Sequence, residues 1–310
     1  MKPARMSCVA ALVAVALAGC GLGAGATPSA VTLVVTSGFG ARVLPAAGAL
    51  RVKGQETAMS LLQRNYPVAT SDGGGFVESV DGLSAGQQAG QSVDWFYYVN
   101  GVEATRGADA TSVHSGDRIW WDRHNWSQTE TIPAVVGSFP EPFRNGIEGK
   151  RLPVRVECAS VAGYACRTVA ARLHTLHIAA STTTIARAGA PRSLRVLVAP
   201  WAAIAGDLGA QSLERGPRAS GVYARFADGG RELTLLDQAG ASVQALRGGA
   251  GLIAATRAAQ DPPVWLVTGT DGEGVELAAS AFDQRTLQNR FAVAVGSAGA
   301  IALPDRTTSG

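Results

Sequence analysis

"DWFYYVNG", residues 94–101, sets four aromatic side chains in a row and closes on Asn-Gly, in a chain otherwise rich in alanine and glycine. A β-strand sends successive side chains to opposite faces. Trp95, Tyr97 and Val99 therefore point one way, and Phe96, Tyr98 and Asn100 the other. Asn100-Gly101 is a type I′ turn signal, because both residues tolerate positive φ. A second run, "GDRIWWDRH" at 116–124, continues the pattern: Ile119 and Trp121 share a face, and Trp120, Asp122 and His124 share the opposite one. The all-apolar set (Trp95, Tyr97, Val99, Ile119, Trp121) is the expected core. The mixed set (Phe96, Tyr98, Trp120 and His124) is the candidate ligand-binding face. Three large aromatics are too many to leave in water without cause. They bind something flat, or they lie beneath a second domain or a partner.

Upstream, "VTLVVTSGFG" (31–40) reads as a strand ending in a glycine turn. "QETAMSLLQRN" (55–65) places Ala58, Leu61, Leu62 and Asn65 on one helical stripe, with Met59 beside it. "GFVESVDG" (75–82) alternates as another strand. One helix among four or five mostly antiparallel strands is an α+β layout. A β-grasp-like arrangement, with the helix on one face of the sheet, buries the stripe most simply.

Three pieces in order, "GGGFVESVDGL" (73–83), "DWFYYVNG" (94–101) and "GADATSVHSGDRIWW" (107–121), carry a resemblance. Residues 31–126 resemble the C-terminal β-domain of transcobalamin and intrinsic factor, and more closely its bacterial relatives of unknown function. In the vertebrate carriers this domain closes over cobalamin seated on a helical barrel. The resemblance thus implies a cobalamin- or corrinoid-like ligand. The helical barrel has no counterpart in this sequence.

Residues 127–150, "SQTETIPAVVGSFPEPFRNGIEGK", hold three prolines and three glycines without periodicity, and read as a linker. Beyond it, 151–304 alternates strand-like and helix-like runs. "LPVRVEC", "SLRVLVAP", "GVYARFA", "ELTLLD", "PPVWLVTGTD" and "NRFAVAV" are the expected strands. "ASVAGYACRTVAARLHTLHIA" (159–179), "GAGLIAATRAAQ" (249–260) and "GVELAASAFDQRTL" (274–287) are the expected helices. Short Val/Leu/Ile runs beside helices predict an α/β domain with a mixed or parallel sheet. Residues 305–310 are the expected frayed tail.

Lys2 and Arg5 precede an apolar run from Val9 to Ala18 that is too short to span a bilayer. It reads as a signal peptide, residues 1–19. The "LAGC" at 17–20 resembles a bacterial lipobox, which implies cleavage before Cys20 and its lipidation. Residues 20–30 have the composition of a tether. The expected location is the extracytoplasmic face of the cell membrane, held by a lipid anchor. Losing Lys2 and Arg5 lowers the formal charge from +3 to about +1. A near-neutral chain without a clustered basic face argues against a nucleic-acid partner. With Cys8 lost with the leader and Cys20 lipidated, Cys158 and Cys166 are the cysteines left, and they are expected to pair as a disulfide.

Other candidates read as structural. His174 and His177 have a spacing compatible with one metal, but no acidic third ligand shares their helix. "TGTDGEG" (268–274) lacks phosphate-loop spacing and suits a strand-to-helix loop with a capping role, leaving Asp271, Glu273 and Glu276 solvated. No Gly-x-Ser-x-Gly occurs. The expectation is a binding module without catalytic residues or a metal. It would capture a flat, corrinoid-like molecule for a membrane transporter. Alternatively it is a structural or interaction lipoprotein whose aromatic face packs on its own α/β domain or an envelope partner.

Overall fold

A computed structural model describes residues 30–45, 50–185 and 192–306. The leader, Cys20 and residues 307–310 lie outside the described residues. The first half is built on strands β1 (Ala30–Ser37), β2 (Gln91–Val99), β3 (Val102–Glu103) and β4 (Arg118–Asn125). β4 sits at the centre, parallel to β1 and antiparallel to β2, with Trp121 beside Tyr97 and Trp120 beside Tyr98. Helix α1 (Ala58–Asn65) lies between β1 and β2 in the chain. It opens on a capping box in which Thr57 and Ser60 satisfy one another's backbone N–H groups. Its buried face, including Leu61 and Leu62, packs on Leu33, Val35, Trp95, Tyr97, Ile119 and Trp121. This is the β-grasp-like α+β layout, and the apolar face of the sheet is the face that the alternation assigns to the core.

The second half is a seven-stranded mixed sheet. Its strands are β5 (Val154–Cys158), β6 (Ala180–Thr184), β7 (Leu194–Pro200), β8 (Gly251–Thr256), β9 (Val264–Gly269), β10 (Ala292–Gly296) and β11 (Gly299–Leu303). The spatial order is β6-β5-β7-β9-β8-β10-β11: the first four run parallel, and β8, β10 and β11 pair antiparallel. Helices α2 (Tyr164–Thr175) and α3 (Gly272–Ser280) share one core with Phe139, Phe143 and one face of the sheet. The other face carries Leu197, Ala199, Leu252 and Ala254 into a separate core. A small antiparallel sheet, Ala224–Ala227, Glu232–Leu236 and Ser242–Arg247, packs over that face.

Three expectations change. "GLIAAT", taken with its flanks as a helix, is the strand β8, with every residue buried. A short apolar run covered on both faces has no period that separates strand from helix. Residues 127–150 do not behave as a free linker: 134–143 are all buried. Val135 N–H donates to Gly101 O (2.9 Å), Val136 N–H to Phe291 O (3.2 Å), and Asn289 N–H to Gly137 O (3.1 Å). The segment is a strap, hydrogen-bonded on one side to the first half and on the other to the second. The expected frayed tail begins with buried Asp305, and Arg306 donates to the carbonyls of Gly38 and Phe39.

Candidate functional site

Phe96, Tyr98, Trp120 and His124 share one face, as the alternation requires, and the second half covers it. Tyr98 and Trp120 are fully buried and His124 nearly so. Phe96 is half-buried against the same core. That core runs from Val34, Phe39, Tyr98 and Trp120 into Val135, Leu197, Tyr223 and Phe291. Phe291 is the ring that locks it. It meets Trp120 at 5.1 Å, Phe39 at 5.2 Å, His124 at 5.3 Å and Tyr98 at 5.7 Å, always edge-on. Such T-shaped pairs place the positive ring edge on a negative face. His124 stacks on Phe96 at 4.4 Å. Phe39, Tyr223 and Phe291 carry no local signal of this role in the sequence, because their partners lie far away along the chain.

A short relay satisfies the polar atoms around Asp122, whereas the Tyr98 and Tyr223 hydroxyls are buried in the same joint with no hydrogen-bond partner among the described residues. The Trp120 indole N–H donates to Thr36 Oγ1 (2.7 Å), and the Thr36 hydroxyl donates to Asp122. The Asp122 carboxylate also accepts from Phe39 N–H (3.0 Å) and Gly40 N–H (2.8 Å), and meets His124 Nδ1 at 2.9 Å. These bonds offset the cost of burying a carboxylate. Backbone approaches closely at Gly137, where a Cβ would lie 2.6 Å from Arg290 N and 2.7 Å from the Trp120 ring, and more closely at Gly40, where one would overlap Asn289 O.

Asn100 and Gly101 both have positive φ, 54° and 79°, as the type I′ turn needs. Asn100 does more than turn the chain. Its side chain is buried, donates to Asp117 Oδ1 (2.8 Å) and Gly146 O (2.9 Å), and accepts from Arg118 N–H (2.8 Å). It thereby pins the end of the strap beside the hairpin.

Next to that anchor a cleft of about 260 Å³ opens where the halves meet. Its walls come from β2, β3, the 104–114 loops, the end of the strap and Arg257 after β8. Glu103 projects from β3, and its Oε2 accepts Ile132 N–H at 2.8 Å. Burial pushes its carboxyl up to about 7, with that backbone hydrogen bond acting against the shift. Arg106 pairs with Glu148 at 3.1 Å on the exposed rim.

The disulfide between Cys158 and Cys166 is present and ties the end of β5 to the first turns of α2. Asp271 caps α3 through Gly274 N–H (2.8 Å) and also accepts Gly249 N–H (2.8 Å), so "TGTDGEG" is a capping loop. No group of His, Cys, Asp and Glu among the described residues could hold a metal ion. No helix among them is long and apolar enough to cross a membrane.

Residues 55–125 match the model of a family described as a domain of unknown function, DUF4430. The match falls inside the β-grasp-like half. Among solved structures, one of a proposed metal-binding protein from Ruminococcus gnavus is similar at 18% identity. The likeness covers 31% of this chain and 96% of that one, with a TM-score of 0.25. No curated protein matches the chain.

Proposed function

We propose that the protein is a lipid-anchored, extracytoplasmic binding protein whose aromatic face is its internal joint rather than an open ligand platform. The observation that carries this reading is the continuous core from Trp120 and Tyr98 to Phe291 and Leu197. A corrinoid on Phe96, Tyr98 and Trp120 would have to displace Phe291 and the strap. The transcobalamin-like resemblance then concerns the strand framework, and an envelope protein or transporter is the partner at the membrane. The lipobox at 17–20 supports the anchor, because Cys20 would carry acyl chains. Each buried CH₂ contributes about 0.8 kcal/mol, so two chains hold a protein stably at a membrane.

Two measurements test this. Expressed with its leader in a bacterial host, the protein fractionates with membranes, and Cys20→Ser releases it. Wild-type protein found soluble would sink the anchor. Titrating the intact chain with cobalamin leaves tryptophan fluorescence unchanged beyond the inner-filter correction. Saturable quenching that Trp120→Ala reduces would restore the corrinoid-capture reading.

A further inference from the structure

The cleft at the joint has a composition that the aromatic face lacks. Val99, Val102 and Ile147 give it an apolar wall. Three basic residues, Arg106, Lys150 and Arg257, face two carboxylates, Glu103 and Glu148. Arg106 and Glu148 neutralise one another on the rim. Lys150 makes no ion pair among the described residues. Arg257 is half-buried and donates to the Asp261 carbonyl (2.8 Å) and the Gln260 side chain (3.4 Å), neither of them a carboxylate. Two cations without a carboxylate in contact thus sit beside an apolar wall. With Glu103 as the remaining carboxylate, the lining keeps one net positive charge.

We propose that this cleft binds a small organic monoanion, its carboxylate held by Lys150 and Arg257 and its short apolar body laid against Val99, Val102 and Ile147. Ligand sites of this kind occur at domain joints, with apolar lining and a few convergent polar groups. Burial lowers the Arg257 guanidinium below its ordinary value, against the pull of Glu148 and Asp261. An incoming carboxylate would relieve that burial cost. Glu103 Oε1 has no partner among the described residues, and its raised pKa makes Glu103 less repulsive to an anion than an ordinary glutamate. Gly149 fits against the His114 ring, where a Cβ would lie 2.9 Å from Cδ2, so the lip carrying Lys150 is seated rather than loose.

The inference rests on the reading that the chain binds rather than catalyses, and its test uses the anchor-free mature chain so that the two can fail separately. Calorimetric titration with butyrate is compared with inorganic phosphate and n-butanol. Butyrate binds saturably with Kd on the order of 1 mM, while phosphate and butanol bind at least about tenfold more weakly. Lys150→Ala with Arg257→Ala weakens butyrate by about tenfold or more at unchanged melting temperature. No butyrate binding, or binding that the double variant leaves intact, overturns the proposal. Phosphate binding as well as butyrate reduces the cleft to an unspecific basic patch, and equal butanol binding reduces it to an apolar crevice. Both overturn it. Loss of membrane anchoring in cells leaves this result untouched.

Discussion

Glu103 shows how one residue couples the joint to pH. Its carboxyl titrates near 7 in the folded chain against 4.5 when free, because burial disfavours the charge. Between those values the folded state binds more protons than the unfolded state, so stability falls as pH rises. The contribution is complete below about 4.5 and is lost as pH passes through about 7, and is on the order of 3 kcal/mol at most. Glu141, raised by burial too, adds in the same direction. Urea denaturation from pH 4.5 to 8 should therefore show a decline that Glu103→Gln flattens, with the variant the more stable protein at pH 8. A wild-type curve unchanged by the substitution would refute this. Trp120 tests the aromatic joint at the same scale. Trp120→Ala empties a fully buried site and should cost about 3–5 kcal/mol by the same denaturation. Gly137→Ala, whose new Cβ would meet Arg290 and Trp120, should cost about 1–3 kcal/mol through overpacking. A neutral outcome for both would mean that the joint is looser than its geometry.

At the scale of elements, period-2 alternation made the first half readable. Trp95, Tyr97, Ile119 and Trp121 face α1 because successive residues of a strand point to opposite faces, and polar Asp122 and His124 mark the second face. The same logic isolated Phe96, Tyr98, Trp120 and His124, but it could not name what covers them. Phe291 and Tyr223 approach from far along the chain, and no local pattern records a long-range contact. β8 failed for the complementary reason: covered on both faces, "GLIAAT" has no alternation to read. The Arg195 network was equally hidden, since an arginine inside "SLRVLVAP" looks like a break in an apolar run. In the fold Arg195 bonds Glu157 (2.7 Å) across the sheet and Asp207 (2.7 Å), the cap of the Leu208–Glu214 helix. Arg195→Ala would leave buried Asp207 without a cation and Glu157 with only the longer Arg155 contact (3.4 Å), so a loss of about 3–5 kcal/mol is expected. The disulfide was legible from cysteine arithmetic alone. It closes a loop with a sequence separation of 8, so reduction should lower stability by about 2–3 kcal/mol. Melting the protein with and without reductant, beside a Cys158→Ala/Cys166→Ala variant, measures that loss.

The whole molecule behaves as one cooperative body if the strap and the aromatic core do what their packing implies. An aromatic side chain buries roughly 150–250 Å², and each Å² of apolar surface contributes about 25 cal/mol, as an upper estimate. Tyr98 and Trp120 together thus represent up to about 12 kcal/mol. Even half of that, contributed across the joint, is comparable with the net stability of an ordinary domain, about 5–15 kcal/mol. The halves should therefore not unfold independently, although the chain reads as two domains in sequence. Calorimetry should give a single transition whose van't Hoff and calorimetric enthalpies agree. Proteases that favour exposed loops should spare 134–143, where every residue is buried and the backbone bonds to both halves. A chain ending at residue 126 would expose Val34, Phe39, Tyr98 and Trp120 in one patch, and should aggregate or bind a hydrophobic dye where the full chain does neither. Two separate melting transitions, or a soluble, folded fragment of 30–126, would show instead that the joint is an interface that opens.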